Sequence, residues 1–226
     1  GLNLSGSGTV VGLWDEEDVL LTHIELNGRV IDKDGSTVTS QHATSVAGTL
    51  AATGLSSSFK GVSYQATVHA YSSGGDTGEM PSAAANDGVR VSNHSYSFAA
   101  GWQGGGSGTG WTWWGDTTVA FYEDYKFGFY GPEAHGIDNI VYNAPYYLPV
   151  WAAGNETGKV PLNNGANGHE HENAPPGQLF YDVHSANGPD GYDTILRHGT
   201  AKNILTVGAV SLTSGGYTGP SSVTLW

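Results

Sequence analysis

Val10 Val11 Gly12 Leu13 Trp14, halted at once by Asp15 Glu16 Glu17 Asp18, is the stretch on which the fold turns. An almost wholly apolar run of this length suits a parallel strand covered on both faces. Its carboxyl end falls at Asp15. In open parallel sheets, binding and catalytic groups gather outside the carboxyl ends of strands, so this acid has a geometric claim to chemistry. An ordinary acidic turn is the competing reading.

Working outward, the segment from His42 carries small and aliphatic residues at helical spacing, Val46 to Leu50 and Ala47 to Ala51, and predicts a helix laid against something flat. Ala43, Ala47 and Gly48 are expected to let it lie close, and His42 sits in its first turn, where a rigid element would fix the ring for general-base work. A histidine that only caps or packs is the alternative. Ala66 to Tyr71 alternates as a strand, Met80 to Asn86 reads as a short helix, and Val89 to Ser97 is extended. Residues 134–143 predict a helix ended by Ala144 Pro145. Tyr146 to Ala153 predicts a strand in which Pro149 is awkward, because it cannot donate to a ladder. Asn203 to Val210 is a further strand, and Ser221 to Trp226 looks like the start of another. Strand and helix alternate. Such an order predicts an α/β fold: an open, mostly parallel sheet with helices on both faces and right-handed crossovers.

Composition narrows the partners. The chain has 226 residues, 35 glycines, no cysteine and a formal charge of −13 with only 8 Lys plus Arg. One well-packed domain fits that length. The negative field opposes phosphate binding, so no nucleic-acid partner is expected, and cations and basic peptides are favoured. Lack of cysteine excludes disulfides and thiolate chemistry and fits a secreted bacterial protein. No apolar run reaches membrane-spanning length, so no membrane partner is expected.

Two stretches break the alternation. Residues 101–118 combine glycine with Trp102, Trp111, Trp113 and Trp114; a lid over a groove, a carbohydrate-stacking platform and plain packing all fit this composition. Residues 157–197 are polar and irregular. Within them, Gly168 His169 Glu170 His171 Glu172 has the residue types of a metal site, but the reading places alternating residues on opposite sides of an extended chain and finds no helical i, i+4 pair, which disfavours a metal. Asp32 and Asp34, in the turn Ile31 to Ser36, offer carboxylates for a structural calcium, with a solvated turn preferred because the later glutamate of an EF-hand loop is missing.

Three polar residues stand at comparable places: Asp15 after one strand, His42 at a helix start and Asn155 after a later strand. An acid to orient a histidine base, with an amide donor for an oxyanion, are accessory parts of acyl-transfer catalysis. At this point the sequence resembles the subtilisin-like serine peptidases, the subtilases. Ser5 to Asp15, continuing to His23 and Gly28 Arg29 Val30, resembles their aspartate segment, and His42 to Thr49 their histidine segment. Gly61 to Ala66 resembles the segment that follows, Ser95 Tyr96 Ser97 the substrate-lining strand, and Ala152 Ala153 Gly154 Asn155 the oxyanion segment. Ala201 Lys202 Asn203 to Val210 resembles the strand leading to the serine, and order and spacing agree over essentially the whole chain. Departures are Glu16 and Glu17 where Ser or Thr and then Gly are usual, Ala43 and Ser45 beside the histidine, and Ser97 where glycine is common.

The resemblance implies a serine endopeptidase in which Asp15 accepts from His42, His42 takes the proton of a serine, and Asn155 donates to the tetrahedral oxyanion. It further implies that Ser95, Tyr96 and Ser97 pair with a peptide or protein substrate, that Ala152, Ala153 and Gly154 wall the pocket for the residue before the scissile bond, and that no cofactor is required for chemistry. The Gly Thr Ser Met Ala segment bearing the nucleophile does not occur, and the resemblance places it beyond Trp226. The expectation is therefore a subtilisin-like domain over 1–226, incomplete at its C-terminus and inactive alone, with insertions at 101–118 and 157–197 and a C-terminal companion segment as partner. A non-catalytic peptide- or carbohydrate-binding module and an inactive pseudopeptidase are the alternatives.

Overall fold

A parallel strand buried on both faces needs neighbours on both edges, and β1 (Val10–Asp15) has them in the computed structural model of the chain. Residues 4–26, 28–104, 110–187, 193–211, 219 and 222–225 are described. After β1 follow β2 (Val30–Asp32), α1 (Gln41–Ala51), β3 (Thr67–Ser72), α2 (Asp76–Asn86), β4 (Val91–His94), β5 (Trp102–Gly104), β6 (Trp111–Trp113) and α3 (Pro132–Asn143). The remainder is β7 (Leu148–Ala152), β8 (Glu170–His171), β9 (Leu205–Val207), β10 (Val210–Ser211) and β11 (Thr224–Leu225). The main sheet is six-stranded in the order β2-β3-β1-β4-β7-β9, and the pairs β2/β3, β3/β1, β1/β4 and β4/β7 are parallel. The chain divides into two compact units, Gly1–Tyr96 with Gly136–Trp151 and Asn203–Leu205, and Ser97–His135 with Ala152–Lys202 and Thr206–Trp226.

In the first unit the period of two along β1 sorts residues between two unlike layers. Leu13 joins Val68 and Ala70 of β3, Val19, Leu26 and Val30 in an aliphatic core with Ala43, Ala47 and Ala51 of α1. Their four-residue spacing makes one stripe of methyl groups, so the helix packs closely. Gly48 is not part of that stripe: an added Cβ there would meet nothing within 4 Å. Truncating Leu13 to alanine in such a core costs about 2–5 kcal/mol. The opposite face is aromatic. Register sets Trp14 beside Tyr71 and His94, and His94 beside Trp151, and the rings stack at centroid distances of 4.1, 5.1 and 4.0 Å. Gly12 is required under this row, since its Cβ would come 2.4 Å from the Trp14 ring. From α2, Glu79 accepts the Trp14 indole N–H at 3.0 Å. Helices thus flank both faces of the sheet, as expected.

Boundaries moved where tertiary contacts outweigh local pattern. Helix α2 begins at Asp76 rather than Met80, and β4 stops at His94, so Ser95 to Ser97 lie beyond the strand. Pro149 is inside β7. The Leu148 N–H is bonded to Arg90 on the β4 side, so by ladder alternation the missing N–H of Pro149 faces away from β4, where β9 has not yet begun. The expected strand from Asn203 to Val210 is shorter, and its end forms β10, which pairs antiparallel with β11. Ser221 and Trp226 lie outside the described residues.

In the second unit the two expected insertions are not independent loops. Strands β5 and β6 form an antiparallel ribbon, and β8 joins β6 in parallel, with Thr112 opposite Glu170 and Trp113 opposite His171. Trp102 and Trp113 are fully buried under this small sheet, which selects packing over a stacking platform for these two rings.

Candidate active site

Helix α1 starts with a cap: the Ser40 side chain accepts from the Ala43 N–H at 2.8 Å, an interaction worth about 1 kcal/mol. Thr44 ties the same turn to the loop after β1, accepting from the Leu20 N–H at 2.9 Å and donating to the Ser40 carbonyl at 2.8 Å. His42 therefore rides on a fixed turn facing the end of β1. Its Nδ1–H donates to Asp15, with Oδ1 at 2.8 Å and Oδ2 at 2.9 Å. A carboxylate only accepts, so the contact assigns the proton to Nδ1 and leaves Nε2 with its lone pair. Asp15 is 1% exposed whereas the His42 side chain is 59% exposed. A buried anion holding an open imidazole is the arrangement of a base that must reach a reactant. Asp15 Oδ1 also accepts the Glu16 N–H at 2.9 Å, and Glu16 and Glu17 point into solvent.

The other predicted residues fall as follows. Asn155 is exposed on the bend directly after β7, with Ala152, Ala153 and Gly154 half-buried before it. Gly154 has φ 117, and a Cβ there would press on the Leu196 side chain at 2.9 Å. Ala153 is held from both sides, its N–H on the Val207 carbonyl at 2.9 Å and its carbonyl on the Leu196 N–H at 3.1 Å. Ser95 accepts the Asn93 amide at 2.9 Å. The side chain of Tyr96 is structural: its phenol donates to Asp76 at 2.7 Å and contacts His94 Nδ1 at 3.0 Å. Burial pushes the phenol well above the usual tyrosine range. The Tyr96 carbonyl takes the Trp151 indole N–H at 2.9 Å. Ser97 bonds its hydroxyl to Nδ1 of His198 at 2.9 Å.

With the strand order, the capped helix and the Asp15–His42 contact in place, the sequence profile of the subtilase family matches residues 6–224. The chain belongs to the subtilase family. No curated protein matches it. Among solved structures it is similar to a cold adapted subtilisin-like serine proteinase at 19% identity, with a TM-score of 0.43, covering 70% of this chain and 50% of that one. This subtilase chain thus spans half the length of that relative. Among the described residues no helix is long and apolar enough to cross a membrane.

Two groupings of this subtilase gain members that the sequence reading did not name, Asp18 in one and Asp182 with His184 in the other. The turn from Ile31 to Ser36 is an Asx turn, with Asp32 Oδ1 accepting the N–H groups of Asp34 and Gly35 at 2.9 Å each. Beside it, Asp18 is buried and neither of its carboxylate oxygens has a hydrogen-bond partner. Burial pushes its carboxyl above the ordinary carboxylate range. The second grouping collects His169, His171, Asp182 and His184. The reading that set His169 and His171 on opposite sides is corrected here. Residues two apart on an extended chain share a side, and their Nε2 atoms lie 2.9 Å apart. A His-x-His followed by Asp-x-His in the sequence is the signal that was passed over.

Proposed function

We propose that this chain is the N-terminal larger part of a secreted serine endopeptidase of the subtilisin type. The Asp15–His42 contact carries the reading. A serine C-terminal to Trp226 attacks the scissile carbonyl carbon while His42 Nε2 takes its proton. Buried Asp15 stabilises the imidazolium and holds its orientation. The imidazolium then gives the proton to the departing amine, and water repeats the cycle on the acyl-enzyme. Asn155 donates its amide to the tetrahedral oxyanion. Removing the matching asparagine of subtilisin costs about 10²–10³ in kcat, a value carried over from that enzyme.

Substrate pairing along Ser95 to Ser97 is supported by the way Tyr96 is used. Its side chain and carbonyl are both engaged inside the first unit, and the peptide groups of the segment are assigned to the substrate by the resemblance. Ala152, Ala153 and Gly154 are assigned to the wall of the specificity pocket. The carbohydrate-platform alternative loses its support from Trp102 and Trp113, whose exposures are 0% and 1%.

Ser97 beside His198 is the specific rival nucleophile, since it already has an imidazole partner. A fluorophosphonate probe applied to the full-length protein decides. Labelling of one serine C-terminal to Trp226, with peptide turnover abolished in His42→Ala, is expected. Labelling of Ser97, or turnover that survives His42→Ala, overturns the assignment.

A further inference from the structure

The second unit holds a cluster whose chemistry the peptidase reading does not use. Nε2 of His171 lies 2.9 Å from Nε2 of His169 and 3.2 Å from Nε2 of His184. Asp182 Oδ1 is 3.4 Å from the Nε2 atoms of His169 and His171, and its Oδ2 is 3.5 Å from that of His184. One ligand atom from each of the four residues lies within 4.8 Å of the others, and the five separations above, which use both oxygens of Asp182, run from 2.9 to 3.5 Å. Ligands at about 2.0–2.1 Å from a tetrahedral zinc ion stand roughly 3.3 Å from one another.

The far nitrogens settle which atoms face the centre. Nδ1 of His169 meets the Gly165 carbonyl at 3.0 Å, and Nδ1 of His184 meets the Phe121 carbonyl at 2.6 Å. A carbonyl only accepts, so both Nδ1 atoms carry protons and, in the neutral rings, both Nε2 atoms present bare lone pairs. One proton on His171 Nε2 satisfies only one of them. Asp182 Oδ1 adds a further acceptor, shut from solvent and with no hydrogen-bond partner. Acceptors outnumber donors in a space where His169 and His184 are both 0% exposed. A cation removes the excess.

Local folding serves this centre. His169 and Phe180 pair as an antiparallel bridge, so His169 and His171 on one stretch meet Asp182 and His184 on the other, each pair projecting to one side. Gly165 has φ 95, and a Cβ there would lie 2.8 Å from His169 Nδ1, so glycine is needed where the orienting carbonyl sits. Trp113 stacks on His184 with centroids 4.3 Å apart, and Phe180 stacks on His171 at 4.1 Å. These rings form the apolar shell that keeps water from a bound ion.

We propose that His169, His171, Asp182 and His184 bind one divalent transition-metal ion of the zinc type, pinning the insertion 157–197 to the tryptophan ribbon. Four protein ligands close a tetrahedral shell, which makes the site structural rather than catalytic.

The test uses the full-length protein without an affinity tag, stripped with a chelator and titrated with Zn(II) or Co(II). Expected are one ion per chain, the visible absorption of tetrahedral Co(II), and quenching of tryptophan fluorescence by Co(II) through Trp113. Asp182→Asn and His171→Asn should weaken Zn(II) binding by about 100-fold or more, beyond the 10–100-fold typical of outer-shell partners. His23→Ala and His135→Ala should leave it unchanged. Absence of stoichiometric binding, an octahedral Co(II) spectrum, or binding undiminished in both ligand variants overturns the proposal. Should a variant fail to fold, the wild-type stoichiometry and Co(II) spectrum decide alone.

Discussion

The Asp15–His42 pair and the cluster around His171 use the same residue types to opposite ends. In the first, the His42 Nδ1–H at 2.8 and 2.9 Å and the Glu16 N–H both donate to Asp15, so donors and acceptors balance, and the exposed ring leaves Nε2 facing solvent. In the second, three imidazoles and a carboxylate crowd together with more acceptors than donors, behind tryptophan and phenylalanine rings. The two readings proposed above, a base and a metal site, thus rest on the balance of donors against acceptors and on access to solvent, not on the presence of histidine and aspartate.

That contrast breaks most visibly by crossed substitutions. In the full-length protein Asp15→Asn should lower kcat by about 10⁴, the loss seen when a triad aspartate is amidated and the imidazole is left in the wrong tautomer. Its Zn(II) stoichiometry should not move. A change in metal content with Asp15→Asn, or a kcat loss of similar size in Asp182→Asn at a temperature where both are folded, would show that the two regions are not distinct. Next in size is the stability of the second unit. With free Zn(II) at 100 times its Kd, binding contributes about 2.7 kcal/mol, so chelation should lower Tm by roughly 5–10 °C. Calorimetry with and without chelator measures it.

A smaller effect sharpens the catalytic side. The formal charge of −13 and the exposed Glu16 and Glu17 next to Asp15 should favour Lys-rich over Glu-rich peptides by several-fold in kcat/KM at low salt, and added salt should erase the difference. Equal rates at low ionic strength would show that the local field does not reach the substrate. The smallest effect concerns Asp18. Its carboxyl is raised from 3.8 by burial, so the folded state holds a proton that the unfolded chain has released. Stability from this group is present below about pH 4 and falls as pH rises through the folded-state value. Asp18→Asn should therefore raise Tm near neutral pH and make little difference at pH below 4. Thermal melts of both proteins at the two pH values read it.

Much of the first unit was legible. The apolar run ending at Asp15 and the alanine spacing of α1 are local, periodic signals, and a parallel sheet leaves few places for them to go. The same locality explains the misses. Gly48 looked like a packing residue until the stripe proved to be Ala43, Ala47 and Ala51. The role of the Tyr96 side chain, its phenol bonded to Asp76, was likewise not legible in the sequence.

By itself the sequence determined the alternation of the strands and helices around β1, α1, β3, α2, β4, α3 and β7, the placing of Asp15 at a strand end and of His42 in a helix's first turn, and membership in the subtilases. Those follow from periodicity and from motifs whose residues are neighbours along the chain. Only the tertiary structure decided that the tryptophan ribbon and the polar insertion share one small sheet, and that His169 and His171 meet Asp182 and His184 across it. Those pairings are made between stretches far apart in the chain, where irregular segments carry no period to announce them. Their outcome rests on which buried donors and acceptors are left to satisfy one another.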